Sequence, residues 1–108
     1  MISTHILDTY LGTPASDVLV KLYDDQNKVI AQAFTNQDGR ILATDFALNE
    51  INTGDYSLEF FTKNYYKSLS LETFYPKVVI HFSIQNDQQH YHIPLLISPF
   101  AYSSYRGS

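Results

Sequence analysis

The sequence predicts an all-β fold, a sandwich or barrel of about seven or eight short strands with one short helix. Three observations carry this. Apolar residues alternate with polar ones at period two in several segments. Clusters of turn-forming residues separate those segments at short intervals. Only one stretch could be read as a helix, and it is brief.

The alternation is clearest at 77–84, where Val78, Ile80, Phe82 and Ile84 oppose Lys77, Val79, His81 and Ser83. Residues 56–61 place Tyr56, Leu58 and Phe60 on one face, with Ser57 and Glu59 on the other. Residues 18–23 do the same with Val18, Val20 and Leu22. An N-terminal strand puts Ser3, His5 and Leu7 on a common face. Turns are expected at Asp24–Asn27, Asn36–Gly39, Asn52–Asp55 and Asn86–Gln89. The candidate helix lies near Lys63–Ser70 and is too short and aromatic to stand without packing. Pro94 falls inside an apolar strand, His90–Ile97, although proline cannot donate to a ladder. It implies an edge position, a bulge or a break in pairing. An apolar edge invites association, so burial against another subunit is expected.

Length and composition set outer bounds. The chain has 108 residues, which fits a single domain over residues 1–108. It contains no Cys, so disulfides and thiolate metal sites are excluded. A net charge of −4 without a basic run argues against nucleic acid as partner. No apolar stretch approaches the roughly 20 residues of a membrane span. The start, MISTHILDTYLG, lacks the charged and apolar regions of a secretory signal, so a cytoplasmic location is expected.

Candidate chemistry concentrates in the last nineteen residues, HYHIPLLISPFAYSSYRGS. His90 and His92 are two apart, so a strand presents both imidazoles on one face. Such a pair can hold a metal ion, with a third ligand from His5, His81 or a carboxylate. It can equally be two solvated histidines. A third reading is general-base catalysis, since a neutral imidazole with a pKa near about 6.5 suits that work at neutral pH. Arg40 follows the Asp38-Gly39 turn. By alternation Arg106 and Ser108 share a face, while Tyr105 points the other way unless the terminus twists. Ser108 as a nucleophile would require a base and an orienting acid in defined geometry. Spacing alone leaves these alternatives open.

The sequence resembles the 5-hydroxyisourate hydrolases, the enzymatic branch of the transthyretin-like proteins. The likeness runs nearly end to end. It is carried by Ser3-Thr4-His5-Ile6-Leu7-Asp8-Thr9 with Gly12 and Pro14-Ala15, by Thr35 and Asp38-Gly39-Arg40, and by Phe74-Tyr75-Pro76. The tail completes it with His90-Tyr91-His92, Pro94-Leu95-Leu96, Ser98-Pro99 and the closing Tyr105-Arg106-Gly107-Ser108. Ala101 and Ser104 depart from the usual residues at positions without a functional role.

The resemblance implies a transthyretin-like β-sandwich of two four-stranded sheets and one short helix, assembled as a homotetramer with sites at the dimer–dimer interface. It places the catalytic residues at His5, Arg40, His92 and Ser108, with Tyr105 and Arg106 joining in substrate binding. His90 becomes a flanking residue. No metal or other cofactor is implied. The implied reaction is hydrolytic ring opening of 5-hydroxyisourate to 2-oxo-4-hydroxy-4-carboxy-5-ureidoimidazoline, in urate degradation toward allantoin. His92 or His5 would take a proton from the attacking water, and Arg40 would anchor substrate oxygens. The alternative is a transthyretin-type carrier that binds a small ligand and catalyses nothing.

Overall fold

A computed structural model describes residues 1–48 and 50–108. Its strands are β1 (Ile2–Asp8), β2 (Thr13–Pro14), β3 (Leu19–Tyr23), β4 (Val29–Phe34), β5 (Arg40–Ile41) and β6 (Gly54–Phe60). Helix α1 (Thr62–Ser68) precedes β7 (Val78–Ile84), β8 (Tyr91–Ser98) and β9 (Ala101–Ser104). One sheet has the order β4-β3-β6-β7 and is antiparallel throughout. The other has the order β2-β1-β8-β9, with β5 also paired to β1. The two-residue strands β2 and β5 share one edge of β1, beside Leu7-Asp8 and Thr4-His5 respectively. The second sheet is thus the expected four-stranded sheet with one short addition.

The inward faces meet in a single apolar layer. Val20, Leu22, Leu58 and Phe60 come from the first sheet, and Ile6, Ile93, Leu95 and Ile97 from the second; all are buried. On β6 the outward positions Ser57 and Glu59 are buried as well. Glu59 tolerates this because its carboxylate accepts from the Tyr23 hydroxyl at 2.6 Å and pairs with Lys77 at 2.6 Å.

Helix α1 has no side-chain N-cap, so packing must hold it. Tyr66 is fully buried, with its ring edge-on to Tyr65. The Tyr65 hydroxyl donates to Asp8 Oδ2 at 2.8 Å, while Asp8 Oδ1 accepts from the backbone N–H groups of Tyr10 and Leu11. The buried Asp8 carboxylate therefore ties the helix to the end of β1. Among the described residues, no helix is long and apolar enough to cross a membrane.

Pro94 does not lie on an edge. Strand β8 is central, parallel to β1 and antiparallel to β9. The proline instead breaks the ladder. Pairing with β9 runs from Ser98↔Ala101 to Leu95↔Ser104, lapses opposite Pro94, and resumes as an isolated bridge at His92↔Gly107. The Pro94 carbonyl accepts from the Ser104 hydroxyl at 2.7 Å, so the interruption leaves it satisfied.

Candidate active site

The second sheet turns one face away from the core, and the register of three strands loads that face with polar groups. Ser3 and His5 point outward from β1 by alternation, opposite the buried Ile2, Thr4 and Ile6. The parallel pairing sets Ser3 beside His92 and His5 beside Pro94. The antiparallel pairing sets Arg40 beside His5.

The turn before β5 delivers Arg40 to that position. Asn36 Oδ1 accepts from the backbone N–H groups of Asp38 (2.9 Å) and Arg40 (3.0 Å), closing the turn from inside. Gly39 has φ +72°, and a Cβ there would collide with the Ile6 carbonyl oxygen. No other residue fits as closely against β1.

The tail makes a similar approach from the opposite side. The Gly107 N–H donates to the His92 carbonyl at 2.9 Å. A Cβ on Gly107 would stand 2.6 Å from His92 Cδ2, so the glycine lets the backbone lie flat against the imidazole. This brings Ser108 to a cavity of about 200 Å³, lined among others by Ser3, Arg40, Leu42, His90 and His92.

Two hydrogen bonds organise the histidines. Ser3 Oγ lies 2.7 Å from His90 Nε2 and 2.7 Å from His92 Nδ1, bridging rings whose centroids are 6.4 Å apart. Burial and the Arg40 guanidinium hold both His5 and His92 below the usual imidazole value of 6.5. His90 and His5 add to the effect on His92, while Asp38 opposes it at His5. Both rings are therefore neutral, proton-accepting groups at neutral pH. The Arg40 guanidinium has no carboxylate partner among the described residues. A cation beside two neutral imidazoles and a small cavity can bind an electron-rich ring and deprotonate a water.

Of the residues expected to form the site, Arg40, His92 and Ser108 line the same cavity. His5 stands beside it, close enough for the charge of Arg40 to bear on its ring. Tyr105 and Arg106 line a neighbouring cavity of about 330 Å³ between β7 and the tail, to which His92 also contributes. The Arg106 guanidinium stacks on the Tyr91 ring at 4.8 Å and donates to Gln89 Oε1 at 3.1 Å. The expected sharing of a face by Arg106 and Ser108 fails because the tail leaves strand geometry after Ser104, and strict alternation ends with it. His81 belongs to β7 in the other sheet. Among the described residues, no group of three His, Cys, Asp or Glu side chains is arranged to hold a metal.

Sequence reasoning missed Ser3 as a site residue. Its place on the outward face of β1 beside His5 was readable. Its partners were not, because they come from a parallel pairing across nearly the whole chain.

Known proteins match the chain over almost its whole length. The HIUase/Transthyretin family profile matches residues 2–107. A probable 5-hydroxyisourate hydrolase of Caenorhabditis elegans is 43% identical over 99% of this chain and 81% of its own length. The solved structure of Klebsiella pneumoniae 5-hydroxyisourate hydrolase superposes with a TM-score of 0.90 at 36% identity, covering 99% of this chain and 98% of its own. Sea bream transthyretin in complex with thyroxine is also similar, with a TM-score of 0.84 at 27% identity, over 98% of this chain and 93% of its own. Matched in sequence and fold over almost its whole length, the chain belongs to the HIUase/Transthyretin family.

Proposed function

We propose that the protein is a 5-hydroxyisourate hydrolase, opening the six-membered ring of its substrate in urate breakdown. The observation that carries this reading is the convergence of Arg40, His92 and Ser108 on one small cavity, with His5 alongside. Arg40 anchors the oxygens of the electron-rich ring and offsets charge as water adds to a ring carbonyl. His92 takes the proton from that water, and its lowered pKa keeps it free to do so. His5 and Ser108 orient water and substrate. Arg106 holds the tail through Tyr91 and Gln89. Hydrolysis of this kind needs no cofactor, only water and a proton acceptor.

A transthyretin-type carrier would share the fold, but it has no use for an arginine that lies near two neutral imidazoles and has no carboxylate partner among the described residues. The active unit is a homotetramer with its sites at the dimer–dimer interface. Exposed Tyr10, Leu11, Phe74 and Phe100 support this. They gather near one end of the sheet, where Thr9 bonds to Ile97 and Phe74 to Pro99 through the backbone.

The test is the decay of freshly generated 5-hydroxyisourate, formed in place by urate oxidase, with the uncatalysed background subtracted. Acceleration by the protein supports the hydrolase. An unaccelerated decay with well-folded protein would move the reading to the carrier.

A further inference from the structure

We propose that Ser3 and His90 form a proton relay with His92, turning a residue that sequence reading left at the margin into a working part of the site. This rests on the hydrolase reading and deepens it. The Ser3 hydroxyl is buried and lies at 2.7 Å from both His90 Nε2 and His92 Nδ1. A hydroxyl has one hydrogen, so it donates to one ring and accepts from the other. Because the bridge uses Nε2 of one ring and Nδ1 of the other, the two neutral rings must adopt the same tautomer. Both carry hydrogen on Nδ1, or both carry it on Nε2.

The two states serve the two halves of an amide hydrolysis. In the first, Ser3 donates to His90 Nε2, His92 Nδ1–H donates to Ser3, and His92 Nε2 keeps its lone pair. Water bonds through oxygen to the ring carbonyl carbon and loses a proton to His92 Nε2. The Nδ1 proton passes to Ser3 Oγ as the serine's own proton passes to His90 Nε2. The exposed His90 then releases its Nδ1 proton to solvent. His92 is now neutral with hydrogen on Nε2, the form that protonates the leaving ring nitrogen as the C–N bond breaks. The relay then runs backward, and His90 recovers a proton from solvent. Without it, His92 would have to remain a charged imidazolium beside Arg40, which its surroundings disfavour.

His90→Gln is the decisive variant, because His90 is exposed and a glutamine oxygen can still accept from Ser3 while carrying no proton onward. The relay predicts that His90→Gln and Ser3→Ala each lower kcat by about ten- to a hundredfold with KM within about twofold, and that Ser3→Thr recovers most of the rate. Wild-type kcat in His90→Gln would reduce Ser3 to a positioning residue and overturn the relay. Nitrogen-15 NMR of the imidazoles gives an independent reading. Matching tautomers of His90 and His92 in the unliganded protein, uncoupled in Ser3→Ala, support the bridge; opposite tautomers overturn it. Absence of any hydrolase activity in the wild type would instead defeat the functional reading, with the tautomer measurement still deciding the bridge.

Discussion

The two sheets treat polar groups on their outward faces in opposite ways. On the β4-β3-β6-β7 sheet, the buried Glu59 carboxylate is satisfied within the chain by Tyr23 and Lys77. On the other sheet, the Arg40 guanidinium has no carboxylate partner among the described residues, and Ser3 links two histidines beside an open cavity. The first pattern stabilises, since a buried polar group with its partners costs little. The second leaves charge and lone pairs available to a ligand. Polar residues on a strand face thus indicate function only where the fold leaves them unmatched.

The sharpest way to break the contrast is to remove the unmatched groups. His92→Ala or Arg40→Ala is expected to lower turnover of 5-hydroxyisourate by about a hundredfold or more. Both side chains lie outside the apolar core, so the thermal midpoint should move by only a few degrees. Full activity in either variant would remove that residue from the catalytic set.

Gly107→Ala tests whether the tail must lie flat. The new Cβ would approach His92 Cδ2 to 2.6 Å and Pro94 Cγ to 3.1 Å, so the imidazole or the tail must shift. Turnover should fall by about tenfold, in line with the sensitivity of catalysis to small misplacements. An unchanged rate would show that the approach of the tail does not position His92.

Glu59→Gln tests the stabilising sheet. It removes the charge opposite Lys77 while keeping the volume, and should lower unfolding stability by about 1–2 kcal/mol with hydrolysis unchanged. A loss of activity at preserved stability would contradict the division between the sheets.

The smallest effect is on pH. His5 and His92 titrate below 6.5 in the folded protein, so between the folded and unfolded values the unfolded chain binds more protons. Stability therefore falls as pH drops from 6.5 through the lowered folded values, and the acid limb of activity lies below 6.5. Replacing Arg40 with Gln should raise the His92 pKa in an NMR titration, because one of the forces holding it down is gone. An unmoved pKa would leave burial and the neighbouring His90 and His5 as the causes.

Much of the strand pattern was readable directly. The alternation over 77–84 and 56–61 corresponds to β7 and β6, and the helix expected near Lys63–Ser70 appears as Thr62–Ser68. These are local signals, set by side-chain period and turn chemistry within a few residues. Pro94 was legible as a disturbance but not as its kind. Whether a proline marks an edge or a gap depends on which strands flank it, and both neighbours of β8 lie elsewhere in the chain.

By itself, the sequence determined the alternating strands, the Asn36–Gly39 turn that presents Arg40, and the residue types of the site; the resemblance to the hydrolases added which of them act. Tertiary structure decided how they meet. The parallel β1–β8 register set Ser3 between two histidines, and the lapse in the β8–β9 ladder at Pro94 freed the tail to leave strand geometry. That geometry set Arg106, stacked on Tyr91, apart from Ser108 in the cavity of Arg40. The reason is range: periodicity and turns are written within a few residues, whereas register between distant strands is settled by how well two faces bury against a common core.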